Sequence, residues 1–352
     1  MLVGCMSEVN LFFRRVRDQG EFDEFIEEAG LKSRHFIIKP NWWNWGYAEY
    51  TEAETLEFLL RSLDGKITVT EGYSPRVDAR MPEEETTATS SVRFLYTTIR
   101  QLGGALWISK GDRERIRRCD EEFLRETGIR KLFDEYDVDY VNVTEEVWVG
   151  NTVNREKIRK LVESKYSPVE RHELYDWIPE SLYRLRGSIF ISFAKIKGVE
   201  PLNLVREEYR PSLAMKNFFG LIPHPLRIHF HGRDNCELDQ NILDINKIYH
   251  SIFEVLGINE ALHTCMVSDP SGPYEAAWGA YDVIKDSGLV VFGRNLVHLD
   301  AYTCRLVGKY PERVPYLRLA TKEFGEWNKK LIDSTKSELQ VMMKGPSRRE
   351  AT

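Results

Sequence analysis

HFIIKPNWWNWGYAEYTEAETLEFLLRSLDGKITVTEG, residues 35–72, decides the fold. An apolar run, HFIIKPN (35–41), leads into a segment of helical period, TEAETLEFLLRSL (51–63), and then into a second apolar run, KITVTEG (66–72). Thr51 with Glu54 three positions on forms a capping-box pattern at the start of the helical segment. Strand, helix, strand in that order predicts an α/β fold with a largely parallel sheet.

The alternation continues along the chain. ALWISK (105–110), DYVNVTE (139–145), SIFISFAK (188–195), LRIHFHG (226–232), HTCMVSD (263–269) and GLVVFGR (288–294) read as strands. DEEFLRETGIRKLFDEY (120–136) and LDINKIYHSIFEVLG (243–257) read as helices. The expected architecture is a mostly parallel central sheet flanked by helices, one α/β domain over 1–334 with its core at 35–310. Polar SPRVDARMPEEETTATSS (74–91) reads as an insertion reaching to about residue 104, and 335–352 as a flexible tail.

Composition narrows the partners. The 352 residues are 42% hydrophobic and 30% charged, with a net charge of −6. That balance argues against a general nucleic-acid binder, which needs a basic field. No run of about 18 apolar residues is present to span a bilayer, and the first residues lack the apolar length of a signal peptide. Five scattered cysteines form no CxxC, so no iron–sulfur or zinc-ribbon motif is encoded locally. Neither GxGxxG nor GxxxxGK[ST] occurs. The expectation is a cytoplasmic protein for a small metabolite, with homo-oligomers allowed and the cofactor unknown.

The chemistry gathers at the ends of the predicted strands: Lys39-Pro40-Asn41, Glu71-Gly72, Lys195 with Lys197, Asp269, and Gly293-Arg294. In open α/β sheets ligands bind beyond the carboxyl ends of the strands. A lysine–asparagine pair recurs in KPN and in SLAMKNFFG, which carries Lys216 and Asn217. Lysine supplies a compact cation and asparagine a neutral donor and acceptor, together suited to carboxylate or phosphate oxygens. As a strand, LRIHFHGR would put Arg227, His229 and His231 on one face. Two imidazoles so placed could share a divalent metal with Asp244, Asp269 or Glu71; contact with an anion, proton transfer and a structural role are the other readings.

Further on, SDPSGPYEAAWGAY (268–281) offers Gly272 and Pro273 in a turn, followed by a helix whose N-terminus could receive an anion. Asp300 precedes an apolar helical run, either as its N-cap or as a carboxylate serving the pocket. Trp42, Trp43 and Trp45 read first as cover for the core, and second as a lid.

Together IIKPNW, the TEG strand end, ISFAKIKG, SLAMKNFFGLIP, LDIN, SDPSGP and LDAYTCRLVG resemble the ordered motifs of the domain of unknown function 362 family. The resemblance spans about residues 35–310. It implies a shared α/β scaffold and pocket, with characteristic positions at Lys39, Asn41, Glu71, Lys195, Lys197, Lys216, Asn217, Gly220, His229 or His231, Asp244, Gly272, Pro273 and Asp300. Two departures stand out: the histidine that the family carries after Lys197 is missing, and Asp269-Pro270-Ser271 replaces aspartate-glycine. The attached ferredoxin-like module of some members is missing too, so iron–sulfur chemistry is not implied.

The leading functional expectation is an enzyme acting on a small carboxylate- or phosphate-bearing metabolite. Lys39, Lys197 and Lys216 would neutralise charge. Asn41, Asn217, Lys195, Arg227, Gly272, Arg294 and Asp300 would bind or orient the ligand. His229 or His231, with Glu71 or Asp269 nearby, would move protons, His231 being also a candidate for binding the substrate. A metal-dependent or redox enzyme built on His229 and His231, and a non-catalytic binding protein, are the alternatives.

Overall fold

The computed structural model describes residues 11–74, 110–199, 208–276 and 279–338. The predicted strand at 105–110 and the insertion at 74–104 fall almost wholly outside them, as does most of the 335–352 tail.

Seven strands form the central sheet: β1 (Leu11–Arg15), β2 (His35–Lys39), β3 (Lys66–Glu71), β4 (Asp139–Asn142), β5 (Ile189–Lys195), β7 (Glu254–Ala261) and β11 (Leu289–Gly293). Their spatial order is β1-β11-β7-β5-β2-β3-β4, and the neighbours from β7 to β4 are all parallel. Only β11 runs against the rest, antiparallel to both β1 and β7. After β2 the chain moves outward through β3 and β4, then returns to place β5 on the other side of β2. The order therefore reverses between β2 and β5, and a reversal of this kind opens a crevice at the strands' carboxyl ends. A second sheet, β6-β8-β10-β9, stands beyond that edge, made of Lys197–Val199, Thr264–Ser268, Gly279–Lys285 and Tyr274–Ala276.

Parallel interior strands are covered on both faces and so read as continuous apolar runs. One face carries Phe36, Ile38, Val69, Ile191 and Phe193 under helices α1 (Gln19–Ala29) and α2 (Ala53–Ser62). The other carries Ile37, Phe190 and Ala194 under the helices at Leu238–Ile252 and Leu296–Leu306 and the short turn of helix at Ala214–Asn217.

Several sequence expectations change. The helix predicted at 243–257 occupies Leu238–Ile252, and its tail is strand β7. The helix predicted at 120–136 is two, Lys110–Glu126 and Ile129–Glu135, broken at left-handed Gly128. DYVNVTE turns helical at Val143, capped by Asn142. The strand at 263–269 is real but belongs to the second sheet, and the helix expected after Ser271-Gly272-Pro273 is the hairpin of β9 and β10. The capping box fails because Thr51 Oγ1 accepts from Asn41 N instead, which closes the 42–50 loop. Trp42 and Trp45 are core residues.

LRIHFHG is not a strand. Arg227–His231 form a 3₁₀ turn, whose period of three turns Arg227 and Phe230 inward and leaves Ile228 exposed. Arg227 is drawn in by the carbonyls of Ile222 and Tyr73, and Phe230 packs against Trp177. The shared histidine face that a strand would have produced does not exist.

Candidate functional site

Pro40 ends β2 and leaves Lys39, only 1% exposed, at the sheet's edge. Its ammonium donates to Pro40 O at 2.8 Å, to Glu71 Oε2 at 2.8 Å and to Asn217 Oδ1 at 3.1 Å. Glu71, equally buried at the end of β3, also accepts from Trp42 N and Gly72 N. The Arg227 guanidinium stands 3.7 Å from its other oxygen. These contacts tie the ends of β2 and β3 to the 218–231 segment.

Asn217 closes the frame. Its Nδ2 donates to Lys39 O and to Ser192 Oγ, bridging β2 and β5 where the strand order reverses. Its Oδ1 accepts from Lys39 and from Asn41 Nδ2 at 3.2 Å. Asp300 sets the approach of this turn. It is not an N-cap, since Asn295 caps its helix. From inside that helix, fully buried, it accepts from Ala214 N at 3.0 Å, Met215 N at 2.9 Å and Asn259 Nδ2 at 3.0 Å. Burial raises its carboxyl to about 7 against the pull of those donors. Asp300 thus positions the Lys216–Asn217 turn and stays outside the wall of the cavity beyond it.

Beyond this frame lies a cavity of about 450 Å³. Lys39, Asn41, Glu71, Lys197, Lys216, Asn217, Arg227 and His231 all line it, so the central part of the predicted constellation comes together. Lys197, on β6, donates to Glu49 O at 2.5 Å. Burial lowers its pKa to about 7, with Glu49 opposing and Lys195, Lys216 and Lys39 reinforcing the fall. Lys216, half-buried, donates to Arg210 O at 2.9 Å. Burial and then Arg210 lower it to about 8. His231 Nδ1 donates to Asn235 Oδ1 at 2.9 Å, and burial followed by Lys216 pushes its pKa down to about 4. At neutral pH its imidazole is uncharged. Asn41 Oδ1 is buried in the wall with no hydrogen-bond partner.

Other predicted residues lie elsewhere. Lys195 points to the opposite sheet face from Ser192, where it meets Glu52 at 2.6 Å and Glu260 at 3.7 Å. Burial lowers its pKa, but Glu260 and Glu52 outweigh that and raise it. Arg294 follows the reversed strand β11, so it emerges at the opposite end of the sheet, paired with Glu254. His229 packs against Phe230 and His224 outside the cavity wall. Asp244 is held by Lys247 and the Glu170 and Arg171 amides. Asp269 closes a turn onto Ser271, and Gly272 packs against the Tyr281 backbone, where a Cβ would have no room. Among the described residues no three His, Cys, Asp or Glu side chains gather into a metal site, so the pairing of His229 and His231 with a carboxylate is not formed.

Sequence reasoning missed Arg210, Glu208, Phe219 and Asn235 in the wall. Arg210 is neutralised by Asp239 and Glu208. Nothing local marks that grouping, because Arg210 lies outside any helix and Asp239 lies on the helix at Leu238–Ile252, 29 residues away.

Residues 177–305 match the model of the family described as Domain of unknown function (DUF362), which supports the resemblance read from the motifs. The matched span holds Lys197, Lys216, Asn217, His231 and Asp300, while Lys39, Asn41 and Glu71 lie before it. No curated protein and no solved structure matches the chain. Among the described residues no helix is long and apolar enough to cross a membrane.

Proposed function

We propose that this protein is an enzyme acting on a small carboxylate- or phosphate-bearing metabolite held in the cavity at the β2–β5 reversal. One observation carries the reading. Lys197 and Lys216 line the cavity without a contact ion pair to a carboxylate among the described residues, each bonded to a single backbone carbonyl, and Glu49 and Asp239 act on them only through space. Buried cations ordinarily have counter-charges, and a bound anion would supply one here. The unpartnered Asn41 Oδ1 adds a demand for a donor, such as a ligand hydroxyl or amine.

Lys39, Glu71 and Asn217 satisfy one another, so they form a rigid floor and not a reactive group. Lys216, beside Arg210, is the anion anchor. Lys197 and His231, both able to be uncharged near neutral pH, are the groups available for proton transfer. Isomerisation, elimination and transfer at an activated carboxylate all suit this set.

The test is calorimetric titration and thermal melting with sulfate, phosphate and pyruvate as probes, on wild type and on Lys216→Met. Saturable binding that the variant weakens at least tenfold is expected. Equal affinity in the folded variant would sink the reading.

A further inference from the structure

The lysines around the carboxyl edge divide into two kinds. Lys39 and Lys195 are held by carboxylates, Glu71 in one case and Glu52 with Glu260 in the other. Among the described residues, Lys197 and Lys216 hydrogen-bond only to backbone carbonyls, and both line the cavity. Of the two, Lys197 is more enclosed, at 5% exposure. A carbonyl accepts a hydrogen bond from an amine as well as from an ammonium, so the Glu49 O contact does not require the charged form. The Glu49 carboxylate makes no hydrogen bond to Lys197: its Oε2 accepts from Asn44 Nδ2 and Gly46 N, and its Oε1 is buried with no hydrogen-bond partner among the described residues. It acts on Lys197 through space, opposing the fall of its pKa. A desolvated lysine beside other cations is an activated nucleophile. Lys216, close to the Arg210 guanidinium, retains the character of an anion anchor.

We propose that Lys197 is an amine nucleophile that forms an imine with a small oxo acid, whose carboxylate Lys216 holds. This rests on the anion-pocket reading above. The Nζ lone pair attacks the carbonyl carbon, forming the C–N bond, and the oxygen takes up a proton to give a carbinolamine. Loss of that oxygen as water, carrying the two hydrogens of the amine, leaves the neutral imine, and a proton from solvent makes it cationic. No oxidant or reductant is needed. The cationic imine withdraws electrons from the adjacent carbon, which labilises a C–H, C–C or carboxylate bond there.

Reductive trapping tests it. Wild-type protein is incubated at pH 7 with pyruvate or glyoxylate and sodium cyanoborohydride, and the modified lysines are mapped by mass spectrometry. With its pKa lowered to about 7, Lys197 is half amine at that pH. An ordinary lysine is amine to roughly one part in 10³. Labelling at Lys197 should therefore exceed that at exposed Lys32 and Lys66 by at least about tenfold, even with slower access. Lys197→Arg, checked for its fold by circular dichroism, should lose the adduct. Lys216→Met should slow its formation. No preferential adduct at Lys197 overturns the proposal, and so does an adduct that forms first at Lys216. If the probes still raise the melting temperature, the anion pocket survives that failure; if they bind nowhere, both readings fall.

Discussion

Asn217 and Lys39 hold each other twice: Asn217 Nδ2 donates to Lys39 O at 2.8 Å, and Lys39 Nζ donates to Asn217 Oδ1 at 3.1 Å. The residues are 178 positions apart in sequence, so this reciprocal pair fixes the recurring lysine–asparagine motifs against each other. With Glu71 it makes a floor whose charges are internally balanced. Lys39→Met should take from the buried Glu71 carboxylate its closest cation and leave it the more distant Arg227 guanidinium at 3.7 Å, costing about 1–3 kcal/mol. Glu71→Gln removes the charge and keeps one acceptor oxygen where the carboxylate offers two, one to Trp42 N and one to Gly72 N, so the double variant Lys39→Met/Glu71→Gln should recover part of that loss. Urea unfolding of the two single variants and the double variant measures the coupling, and strict additivity would show that the pair is not a unit.

Asp300 predicts an effect at a distance from the cavity. Asn in its place offers one oxygen to three N–H donors and turns its own amide hydrogens toward them. Asp300→Asn should lose about 1–3 kcal/mol of stability, and it should weaken sulfate binding by loosening the Lys216–Asn217 turn. Denaturation and titration of the same sample check both, and unchanged affinity would place Asp300 outside the positioning of the site.

Gly220 meets the floor directly. A Cβ there would lie 2.6 Å from Lys39 Nζ and 2.7 Å from Glu71 Oε1, both locked in place by the hydrogen bonds above. Gly220→Ala should cost about 1–3 kcal/mol and abolish anion binding. Gly20→Ala, at an exposed position of helix α1, is the control and should be neutral or stabilising. Thermal melts of both variants give the comparison.

The lysines set the pH dependence. Burial lowers Lys197 to about 7 and Lys216 to about 8, so anion binding must return protons to them as pH rises. Affinity for sulfate should be highest near pH 6 and fall above pH 8 by about tenfold per pH unit for each lysine that needs reprotonating. Without ligand the sign is opposite for stability. Unfolded lysines keep their protons to about pH 10.4, so the unfolded chain binds more protons and stability rises between pH 7 and about 10. Calorimetry in buffers of different ionisation enthalpy should show proton uptake on binding above pH 7. Affinity flat from pH 6 to 9 would contradict the assignment.

Interior parallel strands were legible in the sequence, because β2 and β5 are nearly continuous apolar runs and β3 is a run of β-branched Ile, Thr and Val. Strand β7 was not, although it is equally central. Gly257, Asn259 and Glu260 interrupt its pattern. Gly257 is small because Leu299, Leu296 and Ala214 press on it, while Asn259 and Glu260 find partners in Asp300 and Lys195. Those partners are distant in sequence, so local periodicity could not reveal them. The same limit governed the site. Lysine–asparagine pairs at strand ends pointed to the floor, but Lys195 and Lys197 look alike two residues apart. Only the switch from central sheet to second sheet at Ile196 sends one into an ion pair and the other into the cavity. The histidine strand failed because the inward pull on Arg227 and Phe230 imposes a period of three.

The Asp300 contact with the Ala214 and Met215 amides bears on how the protein is made. Residues 39, 71 and 217 are all synthesised before residue 300, yet their turn is held from the helix that contains it. Closing so long a loop costs entropy that only long-range contacts return. A nascent chain with every cavity lysine already translated would still lack the clasp that fixes their spacing. Ligand capture should thus begin only when the helix at Leu296–Leu306 has left the ribosome and docked, which makes anion binding a late marker of completed folding.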